Sequence, residues 1–191
     1  MITDFDEITQ QTLLELEKTQ KQFWNISRVT GEFLNLLIRT AKSKNIIEVG
    51  TSNGYSGIWI TKALKETGGR LTTIEYYEKR IAPARENFEK CGVLDIITTL
   101  QGSAIEVLSS LPADFKIDFA FVDANKRESL QYFELIHPHL QKGGFLAVDN
   151  VLSHKEKVQT FIDAINAHPD YENVILPFPA GLSLAVKRTA K

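Results

Sequence analysis

The chain has 191 residues, enough for one continuous hydrophobic core and too few for two ordinary domains. Its 22 basic and 24 acidic residues nearly cancel, which leaves no electrostatic footprint for nucleic acid or another polyanion. A single cysteine, Cys91, excludes an internal disulfide and any multi-cysteine zinc site, and its helix-like surroundings suggest packing. With an acidic start (Asp4, Asp6, Glu7) and no apolar run of membrane-spanning length, the expectation is a soluble cytoplasmic protein with no membrane partner.

Phe5, Ile8, Leu13, Leu16 and Phe23 recur at helical spacing, so residues 4–22 read as an amphipathic helix, either a lid or a packing surface. A second helix opens at Thr30, carries Phe33, Leu34, Leu37, Ile38 and Ala41, and ends at Lys42-Ser43-Lys44-Asn45. From residue 44 onwards short apolar runs at 46–49, 71–74, 96–100, 117–122 and 145–148 alternate with helical patterns, the rhythm of βαβ units. The run at 117–122 is apolar at nearly every position and should be a central strand. Gly68-Gly69, Gly92, and Gly143-Gly144 after Pro138 read as helix stops. Ser153 with Glu156 forms a capping-box pattern for a helix that His168-Pro169 ends. The runs at 174–176 and 182–186 are too close for a parallel crossover and predict a hairpin. The fold class is therefore α/β: one domain over 1–191, with amino-terminal helices (1–43) and a core (44–191) whose mostly parallel sheet closes on an antiparallel hairpin.

In open α/β sheets ligands bind beyond the carboxyl ends of the strands, near the point where strand order switches. After the first strand comes Glu48-Val49-Gly50-Thr51-Ser52-Asn53-Gly54-Tyr55-Ser56-Gly57. Glycines at 50, 54 and 57 let the backbone turn sharply into a helix with a ligand against it. Their spacing of four and then three differs from the G-x-G-x-x-G of dinucleotide sites and disfavours a nicotinamide-dependent oxidoreductase. Glu48 can accept bonds from an ammonium group, and Glu75, closing the second strand, from both hydroxyls of a ribose. Both suit an aminoacyl nucleoside.

The fourth strand runs into Asp123-Ala124-Asn125-Lys126 and the fifth into Asp149-Asn150. Asp123, Asp149 and Asn150 offer three oxygens at one sheet edge, suited to a hard divalent cation: magnesium first, with calcium and manganese as alternatives. Such an ion acidifies a bound hydroxyl, and Lys126 can serve as its base.

The segment 48–56 resembles the E-x-G-x-x-x-G-Y-S loop of the O-methyltransferases that include catechol and caffeoyl-CoA O-methyltransferases, and the likeness runs over about residues 27–187. The same family carries D-x-x-K after the fourth strand and D-N after the fifth, both intact here. The resemblance implies a Rossmann-like class I methyltransferase fold with a seven-stranded sheet, and methyl transfer from S-adenosylmethionine to a hydroxyl of a small molecule with metal assistance. It further implies that Glu48, Gly50, Thr51 and Ser56, with the Gly54 turn, hold the methionine part, Glu75 the ribose, and Gly102, Ser103 and Ala104 the adenine side. Ile26 and Asp123 line the same pocket, and Lys126 and Asp123 form the catalytic pair. Many relatives are dimers, so the amino-terminal helix is expected to offer a homodimer face. A cofactor-binding protein without turnover is the remaining alternative, disfavoured by the intact ligand set and Lys126. The likeness thins after Asn150, where the loop is short, and at Asn125, where some relatives carry an acid. His154, Trp24 and Tyr55 are left without roles.

Overall fold

The computed structural model describes residues 5–189. Asp6 caps the first helix, α1 (Glu7–Lys18), by accepting from the Thr9 amide at 2.9 Å and the Thr9 hydroxyl at 2.8 Å. The single helix expected over 4–22 is in fact two. Thr19 leaves helical geometry (φ −106°, ψ 15°), and a short α2 (Gln20–Phe23) ends at Trp24 in the left-handed region. Leu13 of the expected apolar face is buried, but Ile8 is 63 % exposed, so the face is narrower than its periodicity suggests. The expected first residue, Asp4, lies outside the described residues. Ser27, not Thr30, opens α3 (Arg28–Ala41): its hydroxyl accepts from the Thr30 amide at 3.2 Å.

β1 (Asn45–Val49), β2 (Arg70–Glu75), β3 (Ile97–Gln101), β4 (Ile117–Val122) and β5 (Leu140–Asp149) pair in parallel. β6 (Tyr171–Leu176) and β7 (Leu182–Lys187) form the antiparallel hairpin, with β7 also antiparallel to β5. The seven-stranded order is β3-β2-β1-β4-β5-β7-β6, which puts β4 at the centre. The chain winds outward from β1 to β3 and then resumes at β4 on the other side of β1. The switch point is thus the crevice between the carboxyl ends of β1 and β4.

Two buried clusters flank the sheet. One packs α3, α4 (Tyr55–Thr67) and α5 (Glu78–Lys90) against it around Trp59 and Phe88, each fully buried and each contributing roughly 1.5–3 kcal/mol by removal from water. The other packs α6 (Ala104–Ser109), α7 (Ser129–Ile136) and α8 (Lys155–Ala167) around Phe133 and Phe161. α3 and α4 approach closely because residue 31 is glycine: a methyl there would sit 2.5 Å from the Trp59 ring. Asn35 of α3 donates to the Trp59 carbonyl at 2.8 Å.

Two expected stops are different features. Gly143-Gly144 does not end a helix, since α7 already stops at Ile136. Both glycines lie inside the long β5, where Gly143 takes φ +79° and the pairing with β4 shifts register between Ile117 and Phe119. The capping box does not form either. His154 stands at the cap of α8, and the Ser153 hydroxyl bonds instead to His154 Nδ1 at 3.0 Å.

Candidate active site

The loop after β1 is shaped by three consecutive demands for unusual backbone: Gly50 at φ +106°, Ser52 at +51° and Gly54 at +85°. Gly50 also lies against β4's end, where a Cβ would drive into the Asp123 carbonyl. The loop and Asp123 are drawn together by the sheet itself, with the Asp123 amide donating to the Val49 carbonyl at 2.9 Å and the Gly50 amide to the Ile74 carbonyl at 3.0 Å. Glu75 braces the loop from β2: its Oε2 accepts from the Ser52 amide at 2.7 Å and its Oε1 from the Tyr77 amide at 2.8 Å. The Ser52 hydroxyl reaches the Phe23 carbonyl at 2.9 Å, so the amino-terminal segment supports the loop from outside.

These elements enclose a cavity of about 850 Å³. Its wall includes Ile26, Gly50, Thr51, Ser56, Glu75, Gly102, Ser103, Ala104, Asp123, Lys126 and Asn150, all expected from the sequence. Glu48, Gly54 and Asp149 are not on the wall. Gly54 faces Phe88, whose ring would lie 2.7 Å from an added Cβ, so its glycine serves packing and backbone geometry. Glu48 is fully buried behind the loop, accepting from the Ser56 hydroxyl at 2.5 Å and the Thr73 hydroxyl at 2.6 Å, while Thr73 Oγ1 lies 2.6 Å from Thr51 Oγ1. The Ser56 and Thr51 hydroxyls stand on the cavity wall, and Glu48 connects to it through them. Burial pushes Glu48 up to about 7; the Ser56 and Thr73 bonds oppose this, and the negative charges of Asp123 and Glu75 add to it.

Asp149, one strand over from Asp123, is 3 % exposed, and its Oδ1 is buried with no hydrogen-bond partner. Burial and the Asp123 charge both drive its carboxyl upward, while Lys126 opposes them. Lys126 Nζ bonds Asp123 Oδ1 at 2.5 Å. A pair of facing carboxylates, one holding an unsatisfied buried oxygen, is a donor set that a divalent cation satisfies. Asn150, at φ +69°, adds a carboxamide on the wall. The segment that follows is tied to the β6–β7 turn: the Val151 amide donates to the Gly181 carbonyl at 3.1 Å, and those of Leu152 and Ser153 to the Ala180 carbonyl at 3.0 Å.

Several wall residues were not foreseen. Asn53 presents a buried Nδ2 without a partner. Tyr76 and Tyr77 directly follow Glu75, a position that the strand-end rule could have flagged. Arg80 lies over the rings of Trp24 (5.1 Å) and Tyr77 (5.2 Å), which gives the exposed Trp24 a place at the rim. Lys21, Arg127 and Lys157 add positive charge there, and Glu128 accepts from the Tyr132 hydroxyl. Tyr55 is packed, its hydroxyl donating to Glu17 at 2.7 Å. His154 lies on the wall; burial and the nearby Lys157 and Lys126 lower its pKa, against the pull of Asp123.

The O-methyltransferase family model matches residues 4–187, almost the whole chain and every element of this site.

The chain belongs to the O-methyltransferase family.

Among individual members, it is similar to catechol O-methyltransferase of Niastella koreensis, with 35 % identity over 130 residues, covering 67 % of this chain and 58 % of that protein. It is also similar to caffeoyl-CoA O-methyltransferase 1 of Arabidopsis thaliana, with 34 % identity over 143 residues, 71 % of this chain and 55 % of that one. The matched stretch thus spans little more than half the length of these curated relatives. Two solved O-methyltransferases superpose over nearly the whole chain. The Streptomyces achromogenes enzyme TomG, involved in tomaymycin synthesis and solved with S-adenosylmethionine, gives a TM-score of 0.83 at 26 % identity, covering 96 % of this chain and 90 % of that one. The Bacillus cereus enzyme, solved with S-adenosylhomocysteine, gives 0.84 at 27 % identity, covering 96 % and 91 %. The class I methyltransferase fold expected of the family is the fold observed. No helix among the described residues is long and apolar enough to cross a membrane.

Proposed function

We propose that this family member transfers a methyl group from S-adenosylmethionine to a hydroxyl of a small, catechol-like acceptor with divalent-metal assistance, working in the cytoplasm as a homodimer. The observation that carries the reading is the meeting, in one cavity at the switch point, of the Gly50 loop with Asp123 and Lys126, backed by the partnerless oxygen of Asp149. The cavity volume is within the range of small-molecule and cofactor sites.

Thr51 and Ser56 would hold the polar end of the methionine moiety, with Glu48 keeping the two hydroxyls oriented from behind through Thr73. Each Glu75 oxygen already takes one backbone amide and retains a lone pair for a ribose hydroxyl. Gly102, Ser103 and Ala104 flank the adenine side, and Ile26 closes the pocket from the α3 entrance. Asp123, Asp149 and Asn150 would hold the cation. When bound, the cofactor supplies an electrophilic methyl on a sulfonium, and the cation supplies a positive charge that acidifies the acceptor hydroxyl. Lys126 would take the hydroxyl proton at Nζ, and Asp123 fixes where that Nζ stands. The exposed Ile8 and Leu14 of α1 and Val29 and Leu36 of α3 are the apolar surface offered to a second copy.

Calorimetric titration with S-adenosylmethionine, followed by methyl-transfer assays on a catechol panel with magnesium and after chelation, tests the reading. Binding with metal-dependent turnover supports it. A folded protein that binds no cofactor at millimolar concentration overturns it, and metal-indifferent turnover removes the metal from it.

A further inference from the structure

Two histidines and an aspartate gather at the opposite end of the sheet from the cavity. His137 follows α7, His168 follows α8 and Asp170 precedes β6, and one ligand atom of each lies within 4.8 Å of the others. β5 separates this cluster from Asp149: its ten residues, at ~3.3 Å each, span about 30 Å.

The imidazoles are held by packing before any ligand arrives. Their centroids are 4.7 Å apart, and the Phe133 and Tyr171 rings contact both. His137 Nδ1 lies 3.0 Å from the Tyr171 hydroxyl. With Nδ1–H donating, the Nε2 lone pair stays open, and this second-nitrogen partner is what metal-bound histidines use to fix ring and tautomer. The Asp170 amide donates to His168 Nδ1 at 3.2 Å, so a metal on this ring would displace either that bond or the proton on Nε2.

We propose that His137, His168 and Asp170 form a second metal site for a borderline transition ion of the zinc class, with its fourth position open to water. Two imidazoles and one carboxylate suit zinc, cobalt or nickel and not magnesium. A tetrahedron with bonds of about 2.0 Å needs ligand atoms about 3.3 Å apart, so atoms now within 4.8 Å must draw together by about 1.5 Å at most. Lys187 sets an upper bound on affinity: its ammonium donates to the His137 and Leu140 carbonyls at 2.7 and 2.9 Å and stays beside the site. The bound ion would clamp the ends of α7 and α8 to the start of β6, a stabilising role that does not depend on the chemistry proposed for the cavity.

Chelator-stripped protein titrated with cobalt chloride, then displaced with zinc chloride, tests the site. The expected result is one equivalent of cobalt with the strong visible absorption of a four-coordinate, nitrogen-ligated ion, and a zinc-dependent rise in Tm. Asp149→Asn should retain both, His168→Asn should lose both, Asp170→Asn should bind at least tenfold more weakly, and Lys187→Met should bind more tightly. A wild-type protein without the visible bands at millimolar cobalt overturns the proposal, as does an unchanged cobalt titration in His168→Asn. Should His168→Asn not fold, Asp170→Asn, which alters only an exposed carboxylate, decides: an unchanged affinity there overturns it as well.

Discussion

Lys126 Nζ lies 2.5 Å from Asp123 Oδ1, each side chain no more than 15 % exposed, so the proposed base and a proposed metal ligand stand as a sheltered ion pair. Lys126→Met removes the proposed proton acceptor and keeps a side chain of similar length on the wall. Its kcat should fall by roughly 10²–10⁴ while calorimetric affinity for S-adenosylmethionine stays within a few-fold. An equal loss in both would make Lys126 a binding residue instead.

Gly50→Ala should be severe. Its backbone sits at φ +106°, and the new methyl meets the Asp123 carbonyl, a main-chain atom held by the sheet. A destabilisation of about 2 kcal/mol or more is expected in urea unfolding, together with loss of measurable cofactor binding. Wild-type affinity in this variant would show that the loop yields more than its hydrogen bonds suggest.

Glu48 carries a pH signature. Its pKa is about 7 in the folded protein against a usual 4.5, so the folded state holds a proton that the unfolded chain has released. The resulting penalty is absent below about pH 4.5, grows as pH rises, and is complete above about 7. Glu48→Gln is already neutral, accepts from Ser56 and donates to Thr73. It should match wild type near pH 4 and exceed it near pH 8, by a margin on the order of 3 kcal/mol at most. Denaturation curves at the two pH values check this; a variant weaker at both would mean that the carboxylate is needed in ionised form.

For Asp149→Asn, the buried charge facing Asp123 disappears. Without metal the variant should melt at or above the wild-type temperature, and the increment that magnesium gives the wild type should vanish along with metal-dependent turnover. Thermal scans with and without magnesium measure both. A magnesium increment that survives the substitution would place the cation elsewhere.

Strand positions were legible because buried parallel strands must be apolar at nearly every residue, as 117–122 is, and strand ends then locate Gly50, Glu75, Asp123 and Asn150. What escaped depends on partners distant in sequence. Glu48 reads as a wall residue until Thr73 and Ser56 are seen holding it behind the loop. Gly143-Gly144 has the composition of a helix stop, but pairing with β4 makes it a bulge. The rim cations Lys21, Arg127 and Lys157 come from three separate segments and carry no common motif. Thr19, which divides the first helix, is an ordinary helix-tolerant residue with no local signal of a break.

The amides of Val151, Leu152 and Ser153 hang on the carbonyls of Ala180 and Gly181, so the backbone just beyond Asp149-Asn150 takes its position from the last turn of the sheet. That arrangement divides the labour of change. Substitutions or length variation in the hairpin turn would act on the wall residues Asn150 and His154 through the backbone, while Asp123 and Asp149 stay fixed by β4 and β5. The outer edge of the sheet is therefore mechanically joined to one flank of the cavity while the strand ends that carry the carboxylates are not.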